Sequence, residues 1–294
     1  MKSREKRFRK KSAAECSVPE LPEVETVVRE LRPNLVDRRI AAIRMSRQRL
    51  RKQWQKSWER LLIGNRVMGM RRRGKWIILD LDRDLHLVIH LGMTGQLTIK
   101  PARELPHAHT HIIFSLDGGR NELRFRDIRR FGSATVYGSG DELERFFEET
   151  ELGPEPFNLG AKYWQQRLAT TRRCLKAVLL DQRAVAGVGN IYADESLFEA
   201  CLRPARLGNQ TSAVEALRLR RALVRVLNRA ITQRGSSIRD YVGGSGRKGQ
   251  YQNEFRVYQR AGQPCRRCRK PIECIRLAGR ATHFCARCQP LSHS

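Results

Sequence analysis

The sequence predicts an α+β protein of more than one domain, with a β-rich first domain behind a leading helix, a helical second domain and a metal-binding tail. Short β-branched segments punctuated by Gly, Asp or Pro occupy most of residues 39–136. Apolar residues at helical spacing prevail from about residue 141 onward, and four cysteines in two C-x-x-C pairs lie near the C terminus. The 294 residues suffice for two domains with separate cores.

Residues 1–18 form a basic leader. The stretch offers almost nothing apolar to bury, and seven of its residues are Lys or Arg, namely Lys2, Arg4, Lys6, Arg7, Arg9, Lys10 and Lys11. A segment of this composition cannot offset the entropy of ordering by burying apolar surface. We therefore expect it to be disordered or absent from the mature protein.

The leading helix is predicted over Pro22–Leu35, where apolar residues recur at helical spacing before the exit at Arg32-Pro33-Asn34. Its start, Pro19-Glu20, allows two interpretations. Proline and acidic residues are favoured in an ordinary first turn. The same pair is also typical of an enzyme whose nucleophile is an N-terminal secondary amine. In that case the chain must begin at Pro19, because the nitrogen of the Val18–Pro19 amide has no lone pair to donate.

The first domain, predicted over residues 19–137, is mainly β. Its expected strands alternate with turn residues in the manner of an antiparallel sandwich or barrel. The strands are Arg39–Met45, Trp76–Leu81, Leu85–His90, Gln96–Ile99, His111–Leu116, Glu122–Arg126 and Ala134–Val136.

A linker is predicted over residues 138–158, where Gly153-Pro154-Glu155-Pro156 is typical of a turn. The helical domain follows over residues 159–250, with helices beginning near Ala161, Thr171, Asn190 and Ser212. Within this domain, Val242–Gly249 is a basic, glycine-rich loop that is too flexible to hold one shape without a partner.

The tail, residues 251–294, contains Cys265-x2-Cys268-x16-Cys285-x2-Cys288. Each C-x-x-C pair places two thiolates on one tight turn, and two such pairs complete a closed tetrahedral zinc site that folds the tail rather than catalyses. The alternative is a redox or disulfide pair. A strand is expected at Glu254–Tyr258. Four further cysteines fall outside the zinc spacing: Cys16, Cys174, Cys201 and Cys274.

The charge balance points to a polyanionic partner. Fifty-eight Lys and Arg against thirty Asp and Glu give a formal net charge of +28. Nucleic acid fits this charge best, and an anionic membrane surface is the weaker alternative. Apolar runs fall short of a membrane span, and the N terminus lacks the apolar core of a secretory signal. The sequence thus predicts a cytosolic protein associated with nucleic acid.

Several loops have residues suited to DNA contact, each with a plainer alternative. The two glycines before Asn190 allow backbone amides to approach a phosphate, or simply form a tight turn between helices. The loop Asp127–Gly132 carries two arginines and a phenylalanine that suit phosphates and base steps, or forms a solvated hairpin. The loop His90–Gly95 is similarly bounded by glycine, although a methionine in such a loop is usually core filler. The basic run Arg71–Lys75 suits either a phosphate-binding edge or a merely solvated one.

Together these motifs resemble the formamidopyrimidine-DNA glycosylases, bacterial enzymes that remove oxidised purines such as 8-oxoguanine. The resemblance extends over almost the whole chain from Pro19 onward. Six motifs match in the family's order: Pro19–Thr26, Gly74-Lys75, His90–Gly95, Arg129–Gly132, Gly187–Glu195, and the four-cysteine finger with Gly279-Arg280 inside it. The resemblance implies an α+β multidomain fold with an N-terminal β-sandwich, a helix-two-turn-helix domain and a C-terminal β-hairpin zinc finger. It also favours the catalytic interpretation of Pro19-Glu20 over that of an ordinary helix start.

The resemblance implies a catalytic role for Pro19, Glu20, Lys75 and Arg280. A free Pro19 amine would attack C1′ of the damaged nucleotide, expel the base and form an iminium, after which elimination cuts the strand on both sides of the lost sugar. Glu20 would move protons on the deoxyribose. Lys75 would lie near the lesion as a cation and acid.

The implied DNA contacts come from further loops. Met93, Arg129 and Phe131 would fill the hole left by the everted base, with Arg129 facing the orphaned cytosine. Asn190 and Arg280 would hold the phosphates that flank the lesion. The segment Val242–Gly249 matches the loop that closes over the everted base.

The sequence departs from the family pattern at several positions. His107-Ala108-His109-Thr110-His111 stands where the family tends to carry His-Asp-His, so His109 is the expected phosphate contact. Ala286 replaces a proline common in the second knuckle. Family members begin at the proline after methionine removal. We expect either that translation starts at the valine codon, since GTG serves as a bacterial start, or that a genuine leader is cleaved.

The resemblance further implies one structural Zn²⁺, no organic cofactor, duplex DNA containing an oxidised base as the substrate, and a monomer in the bacterial cytoplasm associated with the nucleoid. Two other functions are considered. The related endonuclease for oxidised pyrimidines fits the Leu21 and Arg129-Arg130-Phe131 signatures less well. A non-catalytic lesion-binding protein would leave Pro19, Glu20 and Lys75 without a shared purpose.

Overall fold

The computed structural model describes residues 18–238 and 240–291, so the basic leader prediction for residues 1–17 and the position of Cys16 lie outside the described residues. The helices are α1 Leu21–Leu35, α2 Lys56–Leu62, α3 Gly140–Glu149, α4 Ala161–Ala169, α5 Leu175–Leu180, α6 Asn190–Glu199 and α7 Ala213–Thr232. The strands are β1 Ile40–Met45, β2 Val67–Arg73, β3 Trp76–Leu81, β4 His86–His90, β5 Gly95–Pro101, β6 Thr110–Leu116, β7 Asn121–Asp127, β8 Ser133–Tyr137, β9 Glu273–Leu277 and β10 Arg280–Phe284.

The first eight strands form two antiparallel four-stranded sheets, in the orders β1-β6-β7-β5 and β2-β3-β4-β8. Residues that alternate along each strand meet between the sheets, where Ile77, Leu87, Leu97 and Phe125 are fully buried. This is the predicted sandwich, and the alternative barrel is wrong. All seven predicted strands are present, with ends that differ by at most two residues.

The helix α1 lies along the sandwich and joins two cores. Its residues Val24, Val27, Val28 and Leu31 pack among the strands, whereas Leu21 packs into the core of the helical domain. A reciprocal cap fixes its start, because the Glu20 backbone N–H donates to Glu23 Oε2 at 2.9 Å. The first turn of α1 is therefore held at the boundary between the domains.

Residues 138–158, expected as a linker, include the ten-residue helix α3. The hydroxyl of Ser139 caps this helix by accepting from the Glu142 N–H. Phe146 lies edge-on to Trp76, with ring centroids 5.2 Å apart. The stretch therefore covers the outer face of the second sheet as well as connecting the domains.

In the helical domain, α4 and α6 pack against the long helix α7, and α5 packs against α6. The tail forms the hairpin β9–β10 over the cysteine knuckles. The strand expected at Glu254–Tyr258 is wrong. A 3₁₀ turn covers Tyr251–Glu254, and the N–H groups of Arg256, Val257 and Tyr258 donate to the buried Glu195 carboxylate. Since a side chain satisfies these donors, no neighbouring strand is needed. Among the described helices, none combines the length and apolar composition required to cross a bilayer.

Candidate active site

A cleft of about 640 Å³ opens where the sandwich, the helical domain and the hairpin meet. Its lining brings together residues far apart in sequence, including Val18, Glu20, Lys75, Asn190 and Arg280. Val18, which precedes the predicted nucleophile, thus faces the cleft, and Pro19 itself is buried. Four of the residues that the sequence assigned to catalysis or DNA contact therefore share one concave site.

The Glu20 carboxylate lies in a cradle of backbone amides at the start of α6. The N–H groups of Gly189 and Ile191 donate to it at 2.7 and 2.9 Å, and that of Tyr192 at 3.4 Å. Burial raises the pKa of Glu20, while the Lys75 charge and these amides oppose the rise. The carboxyl group is thus fixed in place by amides of another domain, and its pKa lies above the usual range for a glutamate.

A second carboxyl group, Glu23, lies one helical turn further along α1. It accepts from the Tyr192 hydroxyl at 2.6 Å and from the Ser236 N–H at 2.7 Å. Burial, helped by the neighbouring Glu20 charge, raises the pKa of Glu23 to about 7. Glu23 is not among the site residues predicted from sequence, although its i+3 spacing from Glu20 is visible within the opening motif.

Lys75 occupies the tight turn between β2 and β3, where Gly74 adopts a left-handed φ of 57°. The turn is held by Glu155, whose carboxylate accepts from the Gly74 N–H at 2.6 Å and pairs with Arg72 Nη1 at 2.7 Å. Burial lowers the pKa of Lys75, and the Glu20 and Glu23 charges oppose the decrease. A lysine in this setting gives up its proton more readily than a solvated one.

His90 also lines the cleft, a position that the sequence analysis named within a loop but not as a site residue. Its Nδ1 accepts from the Gly92 N–H at 3.0 Å, so a neutral ring carries its proton on Nε2. Burial lowers the pKa of His90 to about 4, and the Lys75 charge adds to this effect. The ring is therefore neutral at physiological pH.

The loops that carry Met93 and Phe131 pack against each other beside the cleft. A Cβ on Gly92 would lie 2.5 Å from the Gly132 nitrogen, so the close approach of the two loops requires glycine there. Arg129 stacks over the Phe131 ring at 4.7 Å, and that ring is 43% exposed. The structure thus brings the loop of Met93 against the loop of Arg129 and Phe131, although the described lining of the cleft leaves all three residues out.

His109 lies in the loop before β6 and adopts a left-handed φ of 66°. Its side chain is exposed, and its carbonyl oxygen accepts from the Asp127 N–H at 3.0 Å. His109 therefore lies at the end of β7 that leads into the Arg129 loop, outside the described lining of the cleft.

Asn190 and Arg280 are held by contacts between α6 and the hairpin. The Asn190 side chain donates to the Ala281 carbonyl at 3.0 Å, directly beside Arg280. One turn later, the fully buried Asp194 accepts from the His283 N–H at 2.8 Å and pairs with Lys176 at 2.5 Å. These bonds fix the hairpin tip over the cleft.

The thiols of Cys265, Cys268, Cys285 and Cys288 converge, with all four sulfur atoms within 4.8 Å of one another. The Cys265–Cys288 and Cys268–Cys285 pairs are 3.9 and 3.3 Å apart. Tetrahedral zinc with Zn–S bonds of about 2.3 Å requires about 3.8 Å between sulfurs, so the cysteines fit the ion. The zinc prediction is confirmed, and the disulfide alternative is not needed.

Comparison with known proteins finds matches for three successive parts of the chain. Residues 18–134 match the formamidopyrimidine-DNA glycosylase N-terminal domain, residues 152–242 match the H2TH domain of the same enzymes, and residues 262–291 match a zinc finger found in FPG and IleRS. The chain belongs to the formamidopyrimidine-DNA glycosylase family. It is therefore a DNA glycosylase that is also an AP lyase, and it acts on oxidised purine lesions in DNA.

Individual members of the family match along their full length. The formamidopyrimidine-DNA glycosylase of Geobacillus kaustophilus is 41% identical over 276 residues, which are 92% of this chain and 100% of the relative. That of Moorella thermoacetica is 46% identical over 262 residues, covering 88% and 95% of the two chains. The Lactococcus lactis enzyme in complex with N7-benzyl-Fapy-dG DNA superimposes with a TM-score of 0.85 at 34% identity, covering 92% of this chain and 100% of the other.

Proposed function

We propose that the active form begins at Pro19 and that its secondary amine is the nucleophile. The observation that carries this proposal is the position of Val18 in the cleft beside Glu20, Lys75 and Arg280. Removing Val18 would leave the Pro19 nitrogen next to an acid, a cation and a guanidinium group. With Val18 attached, the nitrogen is an amide and cannot attack.

In this proposal the amine attacks C1′, the bond to the base breaks, and the sugar opens to an iminium that links Pro19 to DNA. Glu20 holds or moves the proton at the sugar ring oxygen, and its amide cradle keeps it oriented throughout. Lys75, with its lowered pKa, supplies a proton to a leaving group. Loss of protons from the sugar then eliminates the phosphates on both sides, and water releases the product from Pro19.

The remaining site residues are assigned to DNA contact. Asn190 and Arg280 hold phosphates next to the lesion, and the pinned hairpin supports this role because it fixes the guanidinium position. Met93, Arg129 and Phe131 fill the hole left by the everted base, and the close approach of their two loops supports this. Exposed His109 contacts a phosphate beyond them.

Zinc keeps the hairpin folded when bound to Cys265, Cys268, Cys285 and Cys288, and has no part in the bond changes. The enzyme acts as a monomer, because one chain supplies every group assigned above. The bacterial source of its relatives supports a cytoplasmic, nucleoid-associated location. The helical domain, residues 159–250, and the finger domain, residues 251–294, grip DNA, while residues 19–137 carry the nucleophile.

Borohydride trapping tests the proposal. Protein that begins at Pro19 and the full 294-residue chain are each incubated with a duplex containing 8-oxoguanine opposite cytosine. We expect a covalent adduct with the shorter protein alone. Equal adducts with both would indicate cleavage of the leader during the assay or another nucleophile, and mass spectrometry of the recovered N terminus separates these. An adduct with neither, despite tight binding to abasic duplex, would overturn the proposal.

A further inference from the structure

The glycine-rich loop Val242–Gly249 lies folded against α1, far from the start of that helix. Within the loop, the Gly243 N–H donates to the Arg247 carbonyl at 2.8 Å, and the Gly246 N–H donates to the Gly243 carbonyl at 2.9 Å. These bonds form a tight turn. The sequence predicts a segment that needs a partner to hold its shape, and α1 is that partner in the structure.

One carboxylate on α1 holds the turn. Glu30 Oε2 accepts from the backbone N–H and the hydroxyl of Ser245 at 2.9 and 2.8 Å. Arg234, which follows α7, pairs with the other Glu30 oxygen and donates to the Ser245 hydroxyl at 3.1 Å. The Glu30 side chain is 17% exposed, so solvent screens these contacts less than it would on an open surface.

Two glycines make this close approach feasible. A Cβ on Gly243 would lie 2.4 Å from Glu30 Oε2, and one on Gly244 would lie 2.5 Å from Leu31 Cγ. Both have φ outside the left-handed region, so what they provide is space rather than unusual backbone geometry. The close contact between the glycine pair and the third turn of α1 therefore depends on the absence of side chains at both positions.

The same turn reaches the sandwich on its other side, where the Ile99 N–H of β5 donates to the Gly244 carbonyl at 3.2 Å. The loop thus bridges α1 and β5, while its two ends continue into the helical domain. Glu30 is ten residues from Glu20, which corresponds to about 15 Å along the helix. A contact at this distance acts on the loop and not on the reacting atoms.

We propose that Glu30 is a positioning residue that anchors the glycine-rich loop through Ser245 and Arg234, and so lowers the entropy lost when the loop covers an everted base. This inference rests on the proposed function and on the covering role that the family resemblance implies for this loop. An abasic site has no base to cover. The anchor therefore favours base excision and leaves cleavage at a preformed abasic site unaffected.

The test uses protein that begins at Pro19 with Glu30→Ala, Glu30→Gln, Ser245→Ala and the double variant Glu30→Ala/Ser245→Ala. Single-turnover excision of 8-oxoguanine is compared with cleavage of a preformed abasic site in the same duplex. Glu144→Ala on α3 is the control for removing an acid from a helix, because Glu144 is exposed whereas Glu30 is half-buried. Thermal melting verifies that each variant is folded.

We expect Glu30→Ala and Ser245→Ala each to slow base excision roughly tenfold, the effect of losing one charge-assisted hydrogen bond. The double variant should be no slower than the worse single one, since both remove the same anchor. Glu30→Gln should recover part of the rate, because its amide oxygen still accepts from Ser245. Cleavage of the abasic site should stay within about twofold of the parent.

Equal slowing on both substrates, unchanged excision, or faster excision would each overturn the anchor. The parent protein separates this outcome from failure of the proposed function. If the parent forms a borohydride-trapped adduct and Glu30→Ala matches it on both substrates, the anchor alone fails. If the parent forms no adduct, the proposed function fails first.

Discussion

Gly189→Ala should slow the enzyme strongly through one added methyl group. Gly189 precedes α6 and has extended backbone angles, φ −130° and ψ −156°, so alanine strains no backbone there. Its Cβ, however, would lie 2.4 Å from the Glu20 carboxyl carbon and 2.5 Å from Oε1. These distances are far below van der Waals contact. Either the carboxylate or the first turn of α6 must therefore move, and both movements separate Glu20 from its amide cradle.

The expected loss follows from the hydrogen bonds at stake. The amides of Gly189 and Ile191 donate to Glu20 at 2.7 and 2.9 Å. A hydrogen bond to a charged group contributes about 1.5–3 kcal/mol, and each 1.4 kcal/mol is a factor of ten, so losing one lowers kcat/KM roughly 10- to 150-fold. Overpacking also costs about 1–3 kcal/mol of stability. Activity is therefore measured well below the melting temperature.

The assay is strand cleavage at an abasic site across a range of pH, with protein that begins at Pro19. The amides oppose the burial that raises the Glu20 pKa, so removing them raises this pKa further. The acid limb of the profile should then move to higher pH, because the ionised carboxylate is lost earlier as pH falls. Gly160→Ala is the control, since its Cβ would meet only Tyr163 Cβ, at 3.9 Å. An unchanged acid limb and kcat/KM in Gly189→Ala would refute the cradle.

Three further predictions concern other parts of the site. Lys75→Met should lower the rate of cleavage about a hundredfold or more and remove the basic limb of the pH profile. In the parent this limb should lie below pH 10.5, because burial lowers the Lys75 pKa. A parent limb at or above that pH would contradict this. Cys268→Ser should abolish bound zinc in metal analysis and weaken binding to abasic duplex in a titration, and retention of both would show that Cys268 is not a zinc ligand. Phe131→Ala removes a ring that is 43% exposed, so the melting temperature should change little. Base excision from duplex should slow more than abasic-site cleavage in a single strand. Equal slowing of both reactions would argue against a ring that fills the hole in the duplex.

Local patterns allowed much of the architecture to be predicted from sequence. The zinc ligands follow from spacing alone, because each C-x-x-C knuckle folds within a few residues. The strand β3 was predicted over its full length, Trp76–Leu81, because its apolar run is bounded by turn residues. By contrast, β2 was missed: Val67–Arg73 ends in three arginines, and two of them are used in contacts with Glu155 and Glu25 rather than with solvent.

The features that sequence did not reveal depend on contacts between distant segments. The Glu23 carboxylate meets the Ser236 amide 213 positions away, and periodicity contains no information about such a partner. The Glu195 carboxylate likewise accepts hydrogen bonds from the backbone N–H groups of Arg256 to Tyr258, and the segment expected to be a strand is therefore irregular. His90 was visible as part of a motif, but its place in the cleft depends on how β4 lies against the Lys75 turn.

The placement of α1 has a consequence for how the molecule folds. Leu21 completes the core of the helical domain, while the residues after it complete the core of the sandwich. Severing the chain between residues 138 and 158 would therefore leave a C-terminal fragment with a gap in its interior and an N-terminal fragment with the acids Glu20 and Glu23 unsatisfied. In the intact chain, the two halves should melt as one calorimetric unit. After the cut, the fragments should regain function only when they are mixed. Unfolding of either half should thus abolish catalysis, so an enzyme in which only one half is folded should not cleave DNA.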